Sequence, residues 1–196
     1  MLAPDTNYEQ FYAETLIPFV TGMLTGKNCV FFSYGVTKSG NSILMGKYEE
    51  VQLPEMLPLT VKLILKEIEG ETSVRLKVSF YEVYRESIRD LLGDREPKSE
   101  PENAKKVKIR ESKKGIKIEN LTEVPFSSMG EFEEYFQIGK KQHLIEHTKM
   151  STMASKSNEI LTLRLENSEG EDLGSVSFVE LATHEREKSK TAPYKE

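Results

Sequence analysis

Asn28-Cys-Val-Phe-Phe-Ser-Tyr34, running into Gly35-Val-Thr-Lys-Ser-Gly40-Asn41-Ser42, is the stretch on which the fold turns. Residues 28–34 form an apolar run too short for a helix, and the small residues after them form a loop, so a strand delivers the chain into a glycine turn. The spacing is that of a phosphate loop, G-x-x-x-x-G-K-[ST], with Asn41 standing where the lysine belongs. Glycines let backbone N–H groups converge on phosphate oxygens, a following helix adds its N-terminal dipole, and the Ser42 hydroxyl suits magnesium. Asn41 cannot supply the cation. An ordinary strand–turn–helix connection has the same glycine spacing, so the loop needs support from elsewhere in the chain.

Working outward, the chain divides into helical and extended stretches. Tyr8, Phe11, Thr15, Leu16, Phe19, Val20, Met23 and Leu24 recur at three- and four-residue steps and predict a helix with one apolar face. Pro54 to Ile68, closed by Gly70, predicts a second helix, and Val74 to Tyr84 alternates as a long strand. Ile88, Leu91 and Leu92 suggest one or two helical turns. Gly93 to Lys106, with Pro97 and Pro101, reads as a loop or tether. Lys113-Lys114-Gly115 between two short apolar runs predicts a hairpin, and Ser128-Met-Gly-Glu131 is a capping box opening a helix to about His147. Two further strands, Ile160 to Leu165 and Ser175 to Leu181, flank the polar turn Asn167 to Gly174. Strands mixed with helices predict an α/β fold with a mixed sheet. The expected division is a domain over 1–182 and a charged tail over 183–196.

Composition narrows the function classes. With 196 residues one core is the prior, and 37% hydrophobic residues exclude wholesale disorder. Twenty-seven basic against 32 acidic side chains, a net of −5, argue against a general nucleic-acid binder. Cys29 is the sole cysteine, residues 1–20 carry acidic and no basic side chains, and no apolar run approaches about 18 residues. A cytoplasmic protein without a membrane partner is expected.

Four more stretches follow in the order that a kinesin motor domain shows them, and the chain resembles that family over about residues 4–186. Pro4-Asp-Thr6, Phe11, Pro18 and Val20 resemble its opening helix, and Asn28 to Gly46 its strand and phosphate loop. Val78-Ser-Phe-Tyr-Glu82-Val-Tyr84 with Ile88-Arg-Asp-Leu-Leu92 resembles the strand and helix after that loop. Gly139, Thr148, Met150, Ser155 and Ser157 fall where the first nucleotide-sensing switch begins, and Phe178-Val-Glu-Leu-Ala182, then Glu185-Arg186, where the second lies. The resemblance implies a P-loop NTPase-like mixed sheet flanked by helices. It implies an incomplete motor core, lacking the family's first strands and its C-terminal third. It implies ATP or ADP with Mg as cofactor where nucleotide binding survives, and microtubules or another protein chain as partner.

The departures bear on activity. On the family pattern Gly35, Thr37, Lys38, Ser39, Gly40, Asn41 and Ser42 would hold the nucleotide, with Ser42 on the metal, but Asn41 replaces the lysine and Lys38 a glycine. Ala154-Ser155-Lys156-Ser157-Asn158 stands where Ser-Ser-Arg-Ser-His is expected, and Glu180, Thr183 and His184 replace aspartate, glycine and serine. One lost charge-assisted phosphate contact costs about 1.5–3 kcal/mol. Glu180 shifts its carboxylate by a methylene, and a misplacement of about 1 Å can cost on the order of 100-fold in rate. Lys38 either reaches back to a phosphate or is simply solvated. Lys156 and Glu185 either keep a weakened inter-switch bridge or are two surface charges. The implied protein is a kinesin-like, ATPase-deficient binding module of the cytoskeleton. The alternative is a working ATP-dependent microtubule motor.

Two local signals have separate readings. Lys105, Lys106, Lys108, Arg110, Lys113, Lys114 and Lys117 gather against Glu111 alone, a patch for acidic tubulin tails or else a solvated hairpin face. His143-Leu-Ile-Glu146-His147 has the H-x-x-E-H spacing of a zinc peptidase, against which stands a partly exposed helix end.

Overall fold

The computed structural model describes residues 8–34, 44–45, 56–84, 86–93, 107–112, 115–149 and 157–182. The first helix, α1 (Tyr8–Leu24), turns Leu16, Val20 and Met23 inward and keeps Pro18 exposed. It ends at Gly26, whose φ of 89° suits the left-handed turn that stops a helix. Strand β1 (Asn28–Ser33) follows, then α2 (Met56–Glu67), which buries Met56, Leu57, Thr60, Val61 and Ile64. The long strand β2 (Val74–Tyr84) takes the bounds read from its alternation.

Next comes β3 (Ser87–Asp90), where helical turns were expected. The chain reverses after Tyr84 and lays Ser87 to Asp90 antiparallel on β2, pairing Ile88 with Val83 and Arg89 with Glu82. Sheet pairing outweighs the local helical spacing of Ile88, Leu91 and Leu92. Strands β4 (Lys108–Ser112) and β5 (Gly115–Glu119) form the hairpin as a separate two-stranded sheet. A short strand without a sequence signal, β6 (Val124–Phe126), pairs with the start of β2.

Helix α3 (Met129–Lys149) opens on the expected capping box, slightly rearranged. Glu131 N–H donates to Ser128 Oγ at 3.3 Å, while the Glu131 carboxylate takes Ser127 N–H at 2.7 Å and the Ser127 hydroxyl at 3.1 Å. Strands β7 (Asn158–Asn167) and β8 (Asp172–Glu180) complete the main sheet, whose order is β1-β8-β7-β2-β3. Only β1 and β8 pair in parallel; β2, β3, β6, β7 and β8 pair with each other antiparallel, which makes the sheet mixed as expected.

Register places Phe31, Phe178, Leu161 and Phe80 in one row on one face. Helix α1 closes it through Phe19 stacked on Phe31 at 3.9 Å, and α3 through Phe136 stacked on Phe80 at 5.9 Å. Two glycines permit these approaches. A Cβ on Gly139 would collide with the Phe80 ring, and one on Gly174, at φ 146°, with the Met23 carbonyl. No described helix is long and apolar enough to cross a membrane.

Candidate functional site

The strand ends that carry polar side chains on the helix-covered face are the place to look for chemistry, because register puts Glu82, Glu159 and Glu180 side by side on β2, β7 and β8. Three carboxylates in a row repel one another unless cations come between them. Helix α3 supplies those cations. His143 Nδ1 lies 2.9 Å from Glu82 Oε2 and its Nε2 lies 3.0 Å from Glu159 Oε1, so the ring bridges two strands. Lys140 Nζ reaches Glu159 at 2.7 Å, and Arg89 on β3 reaches Glu82 at 2.5 Å. The Lys140 ammonium also sits 5.7 Å from the Phe80 ring centre and 5.6 Å from that of Phe136, a cation–π contact on each.

Their protonation follows from this arrangement. Burial works against a charged His143, but the hydrogen bonds and charges of Glu159 and Glu82 outweigh it and push the ring up to about 9. Burial likewise opposes the Glu159 anion, yet His143 and Lys140 hold it well below the usual carboxylate range. Glu180 goes the other way, since burial raises it more than the nearby Lys140 charge lowers it. Its Oε1 accepts the Met45 N–H at 3.2 Å, which ties the end of β8 to the turn at residues 44–45.

Of the residues expected to hold nucleotide or metal, Gly35, Thr37, Lys38, Ser39, Gly40, Asn41 and Ser42 lie outside the described residues. So do Ser155, Lys156 and Glu185 of the switches, and Lys105, Lys106, Lys113 and Lys114 of the basic patch. Ser157 is buried just ahead of β7, and Glu180 lies at the end of β8, beside the His143 cluster. Glu82, Lys140, His143 and Glu159 carry the best-defined electrostatics of the described chain, and sequence reading assigned none of them to the site. The spacing of Lys140 and His143, three residues apart on one helix face, was the available signal.

The zinc reading of His143 to His147 is corrected here. Both ring nitrogens of His143 are taken by glutamates, its side chain is 14% exposed rather than at an open helix end, and its raised basicity favours the imidazolium, which cannot ligate. No group of three potential metal ligands occurs among the described residues.

In the hairpin, Lys108, Arg110, Lys117 and Glu119 share one face through the pairs Lys108–Glu119 and Arg110–Lys117. Arg110 Nε meets Glu119 at 2.8 Å, so one of the expected basic side chains is internally matched. The other face carries Ile109 and Ile116, 62% and 75% exposed. A groove of about 760 Å³ opens at the opposite end of the main sheet, between Lys66, Arg75, Phe126 and Glu131.

The described residues form a mixed sheet with one parallel pair, β1 on β8, and an acid, Glu180, at the end of β8, with helices packed on it, an α/β arrangement. The family pattern described as Kinesin motor domain matches residues 1–196, and the chain belongs to that family. It is 29% identical over 182 residues to Kinesin-like protein KIN-10B of Arabidopsis thaliana, covering 92% of this chain and 27% of that protein. It is 31% identical over 202 residues to Chromosome-associated kinesin KIF4 of Mus musculus, covering 96% of this chain and 16% of that protein. A solved structure described as that of a fast kinesin superposes with a TM-score of 0.73 at 27% identity, covering 97% of this chain and 54% of that one. The chain thus spans about half of that structure and about a quarter or less of these two relatives.

Proposed function

We propose that this kinesin-family chain is an ATPase-deficient binding module of the cytoskeleton. The observation that carries the reading is the placement of Glu180 at the end of β8, where its Oε1 is taken up by the Met45 N–H at 3.2 Å. Phosphoryl transfer by P-loop enzymes needs an ionised acid at this strand end to help hold magnesium and neutralise developing charge. Here burial raises the Glu180 carboxyl above the ordinary carboxylate value, which works against the ionised form a metal site uses, although the Met45 N–H bond pulls the other way. Asn41 and Thr183 in the adjoining motifs support the same reading, since neither supplies the cation or the glycine backbone of the family pattern.

ATP or ADP with Mg is the cofactor where binding survives, through Gly35, Gly40 and Ser42. The basic face of the hairpin, with Lys108 and Lys117 at its described end, is the surface for weak contact with acidic tubulin tails. A soluble, cytoplasmic, cytoskeletal location follows from this reading. Purified chain should show no microtubule-stimulated ATP hydrolysis, and a stimulated rate of about 1 per second or more, ordinary for enzymes, would restore the alternative of a working motor.

A further inference from the structure

We propose that Asn158 and Glu159, the first two residues of β7, are positioning residues that clasp the segment leaving β8 to its neighbours. The clasp bears on activity only through the reading above, in which Glu180 and the residues after it stand in a nucleotide-sensing motif.

Three consecutive residues at the end of β8 are each held by a different element. Glu180 Oε1 accepts the Met45 N–H at 3.2 Å, Leu181 N–H donates to the Ser33 carbonyl of β1 at 3.3 Å, and Ala182 N–H donates to Asn158 Oδ1 at 2.9 Å. The turn at 44–45 is itself fixed to α2, since Leu57 N–H donates to the Leu44 carbonyl at 3.1 Å. The ends of β1 and β8, the start of β7 and the start of α2 are thereby joined at one place. A switch segment reports a phosphate by exchanging contacts when the phosphate is bound. Here the polar groups at 180–182 are engaged by the chain's own residues.

Asn158 acts by a direct bond, Glu159 through charge. Glu159 stands opposite Glu180 in the β7–β8 register, and the α3 cations Lys140 and His143 act on both acids. Glu159 takes both cations, Lys140 Nζ on Oε2 at 2.7 Å and His143 Nε2 on Oε1 at 3.0 Å. On the other side of the ring Glu82 takes Nδ1 at 2.9 Å, and its second oxygen pairs with Arg89 of β3. With these three cations engaged, the Glu180 carboxyl is left to the Met45 amide. Removing the Glu159 charge frees Lys140 for the acid directly across the strand pair, where Cβ atoms stand about 4.5–5.5 Å apart. Glu180 then turns from Met45 toward α3.

The test is hydrogen-exchange NMR on the 196-residue chain in nucleotide-free buffer. The Met45 and Ala182 amides should be protected in the parent. Asn158→Ala should speed exchange at Ala182 by about 10-fold, the equivalent of one hydrogen bond, whereas Asn158→Asp keeps the accepting oxygen and should leave it slow. Glu159→Gln should speed exchange at Met45 by a similar factor. Adding Lys140→Gln to Glu159→Gln removes the freed cation and should return Met45 to slow exchange, a rescue that a merely structural glutamate would not show. Should the Glu159 variants fail to fold, the parent amides and the two Asn158 variants decide. Unprotected Met45 or Ala182 amides in the parent, an Asn158→Asp chain as fast as Asn158→Ala, a Met45 amide indifferent to Glu159→Gln, or a double variant as fast as the single would each overturn the proposal. No nucleotide enters these measurements, so ATP hydrolysis by the parent would overturn the ATPase-deficient reading and leave the clasp standing.

Discussion

Replacing His143 by glutamine should flatten the pH dependence of stability between about 6.5 and 9. In the folded chain the imidazolium is held by Glu82 and Glu159 and loses its proton at about 9, against 6.5 for an unrestrained ring. A group whose folded value is raised stabilises the fold fully below its unfolded value, and the contribution disappears as pH rises through the folded value. At about 1.4 kcal/mol per tenfold, the interval from 6.5 to about 9 corresponds to about 3 kcal/mol. That is a large share of the 5–15 kcal/mol typical of whole domains.

Glutamine keeps a hydrogen bond to one glutamate and has no proton to lose in this range. Lys140 lies beside Glu159 and Arg89 beside Glu82, so each carboxylate keeps an ion-pair partner when the ring is neutral. Urea unfolding at pH 6, 7.5 and 9.5 should therefore show the parent chain losing about 3 kcal/mol relative to the variant, with equal m-values. Parallel profiles for the two proteins across that window would refute the bridging role of His143.

Other expectations follow from single contacts. Gly139→Ala should destabilise by about 1–3 kcal/mol in the same urea assay, because the added Cβ meets the Phe80 ring in a packed layer. Gly174→Ala should do the same through the Met23 carbonyl, with the strain of φ 146° added. Asn41→Lys alone should not restore ATP turnover in a microtubule-stimulated assay, since Glu180 and Thr183 are unchanged. Lys113→Glu with Lys114→Glu should abolish low-salt cosedimentation with microtubules, and parent binding should fade above about 0.1 M salt, where charges more than about 10 Å apart are screened. Cosedimentation unaffected by the double change would remove the hairpin from the proposal.

Much of the fold was legible because its elements obey a period. Val74 to Tyr84 alternates along its whole length, and α1 repeats its apolar residues at helical steps, so both were placed from side-chain spacing. The failure at Ile88 to Leu92 has a definite cause. Four residues beside a long strand can take its free backbone groups, and this gain is non-local, invisible in the spacing of three apolar side chains. β6 was missed for the same reason, being three residues with Pro125 in the middle on the outside of β2.

The site was legible in a different way. Motif spacing singled out Glu180 and Ser157 as expected switch positions, since such positions are read relative to neighbours in sequence. The row of Glu82, Glu159 and Glu180 is fixed instead by register across three strands that are far apart in the chain. Once the register is known, the two cations on α3 become intelligible. A helix laid over the strand ends must neutralise the glutamates or leave buried anions unpaired, at about 3–5 kcal/mol for each broken pair. Read alone, His143 offers itself as a metal ligand with Glu146 and His147. Placed over Glu82 and Glu159 it is a fixed cation, and it is the carboxylates on neighbouring strands, not the spacing within the helix, that decide between the two.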